Sequence, residues 1–238
     1  MKKIILSLVA MTAILSAATN EQILKLYQNP HLPKDIKIEI VDRVPLDKAP
    51  GFEAVTLKMS QGEMSQESVL FTNGDFLLFD LVDVNSGESL KSAFEQKLVK
   101  SSVAKIYKNE DPKNIIKLGS DNKKATVVIF TDTDCPYCRH EMDMIDDRLK
   151  DTNVEIIMAS IHGDAGHKKS AAIYKEIAKA KDDKAKIAIL KKYYDKNFDD
   201  STLKIEESEI QAAKALAEKY FMAGINAVPF IVDKSELK

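Results

Sequence analysis

Two cysteines separated by two residues offer the most specific chemistry in the sequence. They are Cys135 and Cys138, and the 238-residue chain contains no others. A cysteine at the start of a helix has its thiolate favoured by unpaired backbone N–H groups and by the helix dipole. Because the thiolate is the nucleophile of disulfide exchange, Cys135 is expected to attack first. Cys138 lies one helical turn later, where it can form a disulfide with Cys135 or resolve a mixed disulfide.

The residues between and around the cysteines support a strand-to-helix junction. Pro136 suits the first turn of a helix, where the N–H that proline lacks has no partner in any case. Tyr137 either contacts a substrate or packs against the protein. Asp132 and Asp134 oppose thiolate formation if their carboxylates lie close to the sulfur.

Other uses of a cysteine pair fit the sequence less well. A c-type haem site requires histidine directly after the second cysteine, where this chain has Arg139. A metal site would need further ligands from His140, His162 or His167, and these show no ordered spacing. A purely structural disulfide stays open, although so tight a loop gains little from closure. The sequence therefore predicts no cofactor and no metal.

The elements around the pair alternate between strand and helix. Residues 125–130 form a continuous apolar run, as in a strand buried on both faces. A helix is predicted around Ile145, a second strand at 154–159, helix throughout about 166–222, and a last strand at 230–232. This alternation predicts an α/β domain with a central sheet.

The preceding part of the chain has a different pattern. Isoleucines at positions 36, 38 and 40 alternate with polar residues, which indicates a strand. Asn73-Gly74 lies between two apolar runs and predicts a β-hairpin, because both residues tolerate positive φ. Apolar residues recur at helical spacing from Leu90 onward, as in a linker helix or an ordinary surface helix of a single domain.

The chain begins with the pattern of a secretory signal peptide. Two lysines precede an apolar run at 4–15, which is too short to cross a bilayer, and small residues follow up to Ala18. An N-terminal anchor or a buried helix is the alternative. Export to the periplasm is expected, and that compartment permits disulfides.

These patterns divide the chain into four segments. They are a signal peptide at 1–18, a small β-rich (α+β) dimerisation domain at 19–85, a linker helix at 86–111, and a catalytic domain at 112–238. Because so small an N-terminal domain buries little core alone, pairing with a second copy of the chain is expected.

Composition excludes several classes of protein. Apolar residues make up 45% and charged residues 30% of the chain, an ordinary balance for a globular protein. The net charge is -2 and no basic tract stands apart, so a nucleic-acid partner is not expected. Two cysteines are too few for a disulfide-stapled scaffold.

The segment from Phe130 to Cys138 resembles the active-site segment of thioredoxin-fold proteins. In layout, the chain is similar to the periplasmic DsbC/DsbG thiol:disulfide interchange proteins, with the same order of signal peptide, β-rich domain, linker helix and catalytic domain with a helical insertion. The resemblance implies that Pro229 is a cis-proline beside Cys135, and that the backbone at Val228 binds substrate. It also implies a homodimer whose two catalytic domains face one cleft.

The resemblance further implies a redox-active disulfide between Cys135 and Cys138, and disulfide isomerase or oxidoreductase activity on misfolded or reduced exported proteins. A membrane partner of DsbD type would keep the pair reduced, and one of DsbB type would oxidise it. Val228 occupies the position at which DsbC-like proteins usually have threonine, which favours the alternative of a DsbA-type oxidase. A non-enzymatic holdase chaperone using the dimer cleft is the other alternative.

The same fold is expected to continue beyond the last predicted strand with an edge strand and a terminal helix. Only nine residues follow Pro229. The sequence is therefore expected to be truncated at its C-terminal end.

Overall fold

A computed structural model describes residues 17–27, 33, 35–62 and 64–237. The predicted signal peptide at 1–18 lies almost wholly outside these residues. The described chain divides into two compact units, with the division between Glu95 and Gln96.

The first unit is an antiparallel sheet with one helix. Its four strands follow each other in the order β1-β2-β3-β4. Thr19 begins the helix, because its hydroxyl accepts a hydrogen bond from the backbone N–H of Gln22. The elements are α1 (Asn20–Leu26), β1 (Ile36–Pro45), β2 (Glu53–Gln61), β3 (Met64–Asn73) and β4 (Phe76–Leu78).

A small apolar core holds this unit together. Ile23 of α1 packs with Val55 and Leu57 of β2 and with Leu70 of β3, and all four side chains are buried. Ile38 and Ile40 of β1 pack partly buried against this cluster. All three alternating isoleucines lie in β1, which confirms the predicted strand.

The hairpin predicted at Asn73-Gly74 is present, but its turn is shifted by one residue. Asn73 pairs with Phe76 as the last pair of β3 and β4, so Gly74 and Asp75 form the loop. Gly74 has a φ of 55°, and no described residue other than glycine has a positive φ. A positive φ at the first central residue alone is that of a type II′ turn, which requires glycine at that position.

The helix expected from Leu90 onward is confirmed as α2, which spans Leu90–Tyr107. The hydroxyl of Ser89 accepts from the backbone N–H of Ser92 at 3.0 Å and satisfies one of the free donors of the first turn. The division between the two units falls within α2, and the domain limits predicted at residues 85 and 111 stay predictions.

The second unit is a mixed sheet with helices, which confirms the predicted α/β class. Its strands lie in the order β5-β7-β6-β8. β6 is parallel to β7, whereas β5 and β8 are antiparallel to their neighbours. The strands are β5 (Ile116–Leu118), β6 (Thr126–Thr131), β7 (Asn153–Met158) and β8 (Phe230–Asp233), and the helices are α3 (Pro136–Asp143), α4 (Ile145–Asp151), α5 (Asp164–Ile177), α6 (Asp183–Tyr194) and α7 (Glu207–Met222).

The prediction of continuous helix over residues 166–222 is wrong, because three separate helices occupy this region. The carboxylate of Asp182 accepts from the backbone N–H of Ala185 at 2.8 Å and starts α6. The backbone N–H of Glu206 donates to the carboxylate of Glu209 at 3.1 Å, in the manner of a capping box, and starts α7. Such local hydrogen bonds favour helix ends over helix interiors. Among the described helices, none combines the length and the apolar character needed to span a bilayer.

Gly224 fixes where the chain leaves α7 on its way to Val228 and Pro229. It follows the C-cap residue Ala223 and has a φ of 103°. A Cβ at this position would lie 2.8 Å from Cγ2 of Val99. Both the conformation and the close approach therefore require glycine.

We expect Gly224→Ala to destabilise the second unit by about 2–4 kcal/mol, since it adds overpacking against Val99 to the strain of a positive φ. Gly163→Ala is the matched control, because Gly163 has a φ of 90° but no atom within 4 Å of the added Cβ. Urea unfolding of both variants measures the difference. Equal losses would show that Val99 imposes no constraint on Gly224.

Candidate active site

The cysteine pair lies where β6 passes into α3, as predicted. β6 ends at Thr131, and Cys135 is the N-cap residue of α3 with an extended backbone, at φ -79° and ψ 122°. Pro136 occupies the first turn of the helix. The backbone N–H of Arg139 donates to the carbonyl of Cys135 at 3.1 Å and closes that turn.

The loop between α7 and β8, near the C-terminal end of the second unit, contacts Cys135. The peptide bond between Val228 and Pro229 is cis. The Sγ of Cys135 donates a hydrogen bond to the carbonyl oxygen of Val228 at 3.2 Å, although the two residues are 93 positions apart in the chain. The structure thus brings together Cys135, Cys138, Val228 and Pro229.

The two cysteines are free thiols, and Cys135 is almost as inaccessible to solvent as Cys138. Cys135 is 4% exposed and Cys138 is completely buried. Tyr137, between them, is 77% exposed. Its side chain therefore extends toward solvent, where it is available to a bound chain.

Cys138 lies in an environment that keeps its thiol protonated. Burial raises the pKa of Cys138 to about 12, although hydrogen bonds from the Thr131 hydroxyl and the Asp132 backbone act in the opposite direction. Its side chain also forms a hydrogen bond with that of Cys135. Since the thiol is a much poorer nucleophile than the thiolate, Cys138 is suited to act second.

The carboxylate of Asp132 is completely buried, yet it is well supplied with donors. It accepts from the backbone N–H groups of Asp134, Ile161 and His162 at 3.0, 2.9 and 3.1 Å. The ring Nδ1 of His162 lies 2.7 Å from the same carboxylate. Burial opposes the charged form, but these donors outweigh it and hold the pKa of Asp132 below its usual value. Asp132 thereby ties the loop after β7 to the loop before Cys135.

The carboxylate of Asp134 is paired with two cations. Lys169 of α5 forms an ion pair with it, and Nη2 of Arg139 lies 3.6 Å away. Nε of Arg139 donates in addition to the carbonyl of Thr133 at 3.1 Å. From their position in the sequence, the two acidic side chains before Cys135 would be expected to act as unpaired negative charges. In the structure, both carboxylates have cationic or hydrogen-bonding partners.

Sequence reasoning missed Lys169 and the role of His162. Lys169 lies 35 residues from its partner in a helical region rich in lysine, so its position carries no distinguishing pattern. The sequence suggests His162 only as a metal ligand, whereas in the structure its ring bonds to Asp132. Asp132 and Asp134 are the one feature of the sequence that points to these partners, because buried carboxylates require hydrogen-bonding or charged partners.

Several solved structures are similar to this chain. Helicobacter pylori DsbG matches with a TM-score of 0.54 and 22% identity, over 90% of this chain and 99% of that chain. The catalytic domain of Proteus mirabilis ScsC matches with a TM-score of 0.40 and 20% identity, over 56% and 85%. A disulfide interchange protein from Neisseria gonorrhoeae matches with a TM-score of 0.35 and 22% identity, over 52% and 81%.

Of these three, only the match to DsbG is strong enough to identify the fold. It confirms the thioredoxin-like fold and the resemblance to DsbC/DsbG-type proteins. No protein-family model matches the sequence, and no curated protein matches it. At this level of identity the likeness concerns the fold, so activity has to be argued from the site.

We expect Asp132→Asn to lower the free energy of unfolding by roughly 2–3 kcal/mol at neutral pH, because the amide places an N–H against donors that now bond to a carboxylate. Since the folded-state pKa of Asp132 is lowered, the advantage of the native protein is full above the unfolded-state pKa of about 3.9. It is lost as the pH falls through the folded-state value.

Urea unfolding at a series of pH values tests this expectation. Asp147→Asn is the control, because Asp147 is an exposed carboxylate whose ion pair with Lys150 lies in solvent, and its loss should change stability little at any pH. A stability difference between Asp132→Asn and the native protein that persists unchanged into strong acid would contradict the assigned role.

Proposed function

We propose that the chain is a thiol–disulfide oxidoreductase that acts on exported proteins, with disulfide isomerisation as its main reaction. The hydrogen bond from the Cys135 sulfur to the carbonyl of Val228, beside the cis-proline, carries this proposal. This contact brings the sulfur to the backbone that precedes the cis-proline. In the proposal, an extended substrate chain pairs with this backbone while its disulfide meets Cys135.

In the proposed reaction, the Cys135 thiolate attacks one sulfur of a wrongly formed substrate disulfide. A mixed disulfide forms and the other substrate sulfur leaves as a thiolate. A different substrate thiolate then attacks the substrate sulfur of the mixed disulfide, which creates a new substrate disulfide and returns Cys135 as a thiolate. The substrate is rearranged with no net gain or loss of electrons.

The buried Cys138 favours isomerisation over rapid transfer of a disulfide. Because burial raises the pKa of Cys138 to about 12, its thiol is mostly protonated at neutral pH and attacks the mixed disulfide slowly. The substrate's own thiols then have time to compete. When Cys138 does attack, it forms the Cys135–Cys138 disulfide and releases the substrate reduced by two electrons.

The proposed location is the periplasm. The charged start, the apolar run at 4–15 and the small residues up to Ala18 support export. As an isomerase the pair must be kept reduced, so a membrane reductant of DsbD type is the proposed partner. The DsbA-type oxidase alternative instead needs a DsbB-type oxidant.

We also propose that the protein is a homodimer joined through its first unit. A short segment of that unit, residues 76–84, exposes large apolar side chains that a monomer would leave in water. They are Phe76 (75% exposed), Phe79 (69%), Val82 (56%) and Val84 (91%). A second copy of the chain is the proposed occupant, because the small core of this unit gains most from added apolar contact.

We expect Cys135→Ser to abolish both insulin reduction and the rescue of scrambled ribonuclease, because the attacking sulfur is gone. Cys138→Ser is the matched control, since it keeps the attacking thiol and removes the resolving one. It should retain much of the isomerase activity and accumulate mixed disulfides, which non-reducing gels detect as a covalent adduct.

Unchanged rescue of scrambled ribonuclease in Cys135→Ser would overturn the enzymatic proposal and leave the holdase alternative, which needs no thiol. The direction of the reaction has its own test in the cell. Acid trapping and alkylation should find Cys135 and Cys138 mostly reduced, whereas a mostly oxidised pair would support the oxidase alternative.

We expect the double variant Phe76→Asp with Phe79→Asp to weaken dimerisation at least tenfold, because each buried aromatic contributes about 1.5–3 kcal/mol. Sedimentation equilibrium measures the change. Leu26→Asp on α1 is the control, since Leu26 is also 69% exposed but lies outside residues 76–84. A double variant that dimerises as tightly as the native protein would exclude this segment from the interface.

A further inference from the structure

Lys169 holds a nearly buried charge close to the cysteine pair. It lies on α5 and is 8% exposed. Its ammonium forms an ion pair with the carboxylate of Asp134, the residue directly before Cys135. A lysine buried to this extent costs free energy unless it is paired, so its position calls for an explanation beyond solubility.

We propose that Lys169 is a positioning residue that sets how strongly the Cys135 thiolate is favoured, by neutralising the carboxylate of Asp134. The inference rests on the proposed function, since tuning this thiolate matters only if Cys135 exchanges disulfides. Lys169 is not a catalytic residue in this proposal, because it acts on Cys135 through Asp134.

The other ionisable groups around the pair leave this role to Lys169 and Arg139. Asp132 is charged but is offset by its backbone donors and by His162. Burial raises the pKa values of Cys138 and of Tyr194, so both side chains are neutral at neutral pH. His140 of α3 is exposed to solvent.

Lys169 acts under less screening than Arg139. The Lys169 side chain is 10% exposed, whereas that of Arg139 is 28% exposed and lies 3.6 Å from Asp134. Charges shielded from water interact more strongly and are less affected by salt. Lys169 is therefore expected to provide the larger share of the neutralisation.

The ion pair predicts opposite effects for its two members. Removing the lysine leaves an unneutralised charge on Asp134, the residue next to Cys135, and is expected to disfavour the Cys135 thiolate. Removing the Asp134 carboxylate leaves the Lys169 charge unneutralised and is expected to favour the Cys135 thiolate. A pair that served only to hold α5 in place would instead give variants that change in the same direction.

The reduction of the pair by glutathione makes the effect measurable. Two glutathione thiols reduce the Cys135–Cys138 disulfide to two protein thiols and become one oxidised glutathione, so two electrons pass to the protein. Favouring the Cys135 thiolate stabilises the reduced side and makes the disulfide more oxidising. For this two-electron couple, a tenfold change in the equilibrium constant corresponds to about 30 mV.

The experiment compares Lys169→Met and Asp134→Asn with the native protein. In Lys169→Met, iodoacetamide should alkylate Cys135 several-fold more slowly than in the native protein at a fixed, mildly acidic pH. Its glutathione equilibrium should shift about tenfold away from the reduced form. Asp134→Asn should change both quantities in the opposite direction, and the double variant should return close to native values.

Two controls separate this effect from a general loss of the helix. Lys175→Met lies on the same helix and breaks the ion pair with Glu209, yet both quantities should stay native. Lys169→Arg keeps the charge and should restore most of the native behaviour. Should Lys169→Met fail to fold, the faster alkylation required of Asp134→Asn still tests the inference.

Changes in the same direction for the two variants, or none in either, would overturn the inference. A native protein that shows no disulfide exchange at all would instead overturn the proposed function. The two failures are therefore distinguishable in one set of measurements.

Discussion

The hydrogen bond between the Cys135 sulfur and the Val228 carbonyl depends on the register of two strands. β6 and β8 are antiparallel, and Phe130 pairs with Phe230 at the edge of the pairing. The end of β6 and the start of β8 therefore lie side by side. The segment that follows Phe130 leads to Cys135, and the segment that precedes Phe230 contains the cis-proline. A slip of this register would separate the sulfur from the carbonyl.

The core beneath this edge makes the register specific. Phe130 packs against Tyr220 of α7 and against Phe230, with ring centroids 4.7 and 5.9 Å apart. Gly224 then turns the chain from α7 toward Val228 under the constraint of Val99. Helix, turn and strand thus fix one short loop against one sulfur, which is the kind of support that a preorganised reactive group requires.

Local features of this site could be predicted from the sequence, and long-range ones could not. The strand before the cysteines, Pro136 in the first turn and the helix after it follow from residue types within a few positions. The cis-proline came from the resemblance to a known family rather than from local pattern. The partner of Asp134, in contrast, lies on a helix 35 residues away. No periodicity distinguishes Lys169 from the other lysines of that region, because the pairing arises from tertiary packing.

The low exposure of Cys135 also arises from tertiary packing, which the local sequence does not show. A strand-to-helix junction predicts a presented sulfur, but the loop that covers it arrives from the far end of the unit. The break between α5 and α6 could be predicted more easily from the sequence, since Asp182 has the residue type of an N-cap. Apolar periodicity alone does not detect such a cap. A prediction from periodicity therefore joins α5, α6 and α7 into one continuous helix.

Valine before the cis-proline changes what the loop offers to the sulfur. The carbonyl of Val228 accepts the thiol hydrogen whatever its side chain, so this contact does not depend on threonine at that position. A carbonyl, however, gives no donor to a thiolate, and valine has no hydroxyl to supply one. The start of α3 is then the remaining source of stabilisation for a thiolate at Cys135. In the role proposed above, Lys169 pairs with Asp134 so that this carboxylate does not oppose the helix start.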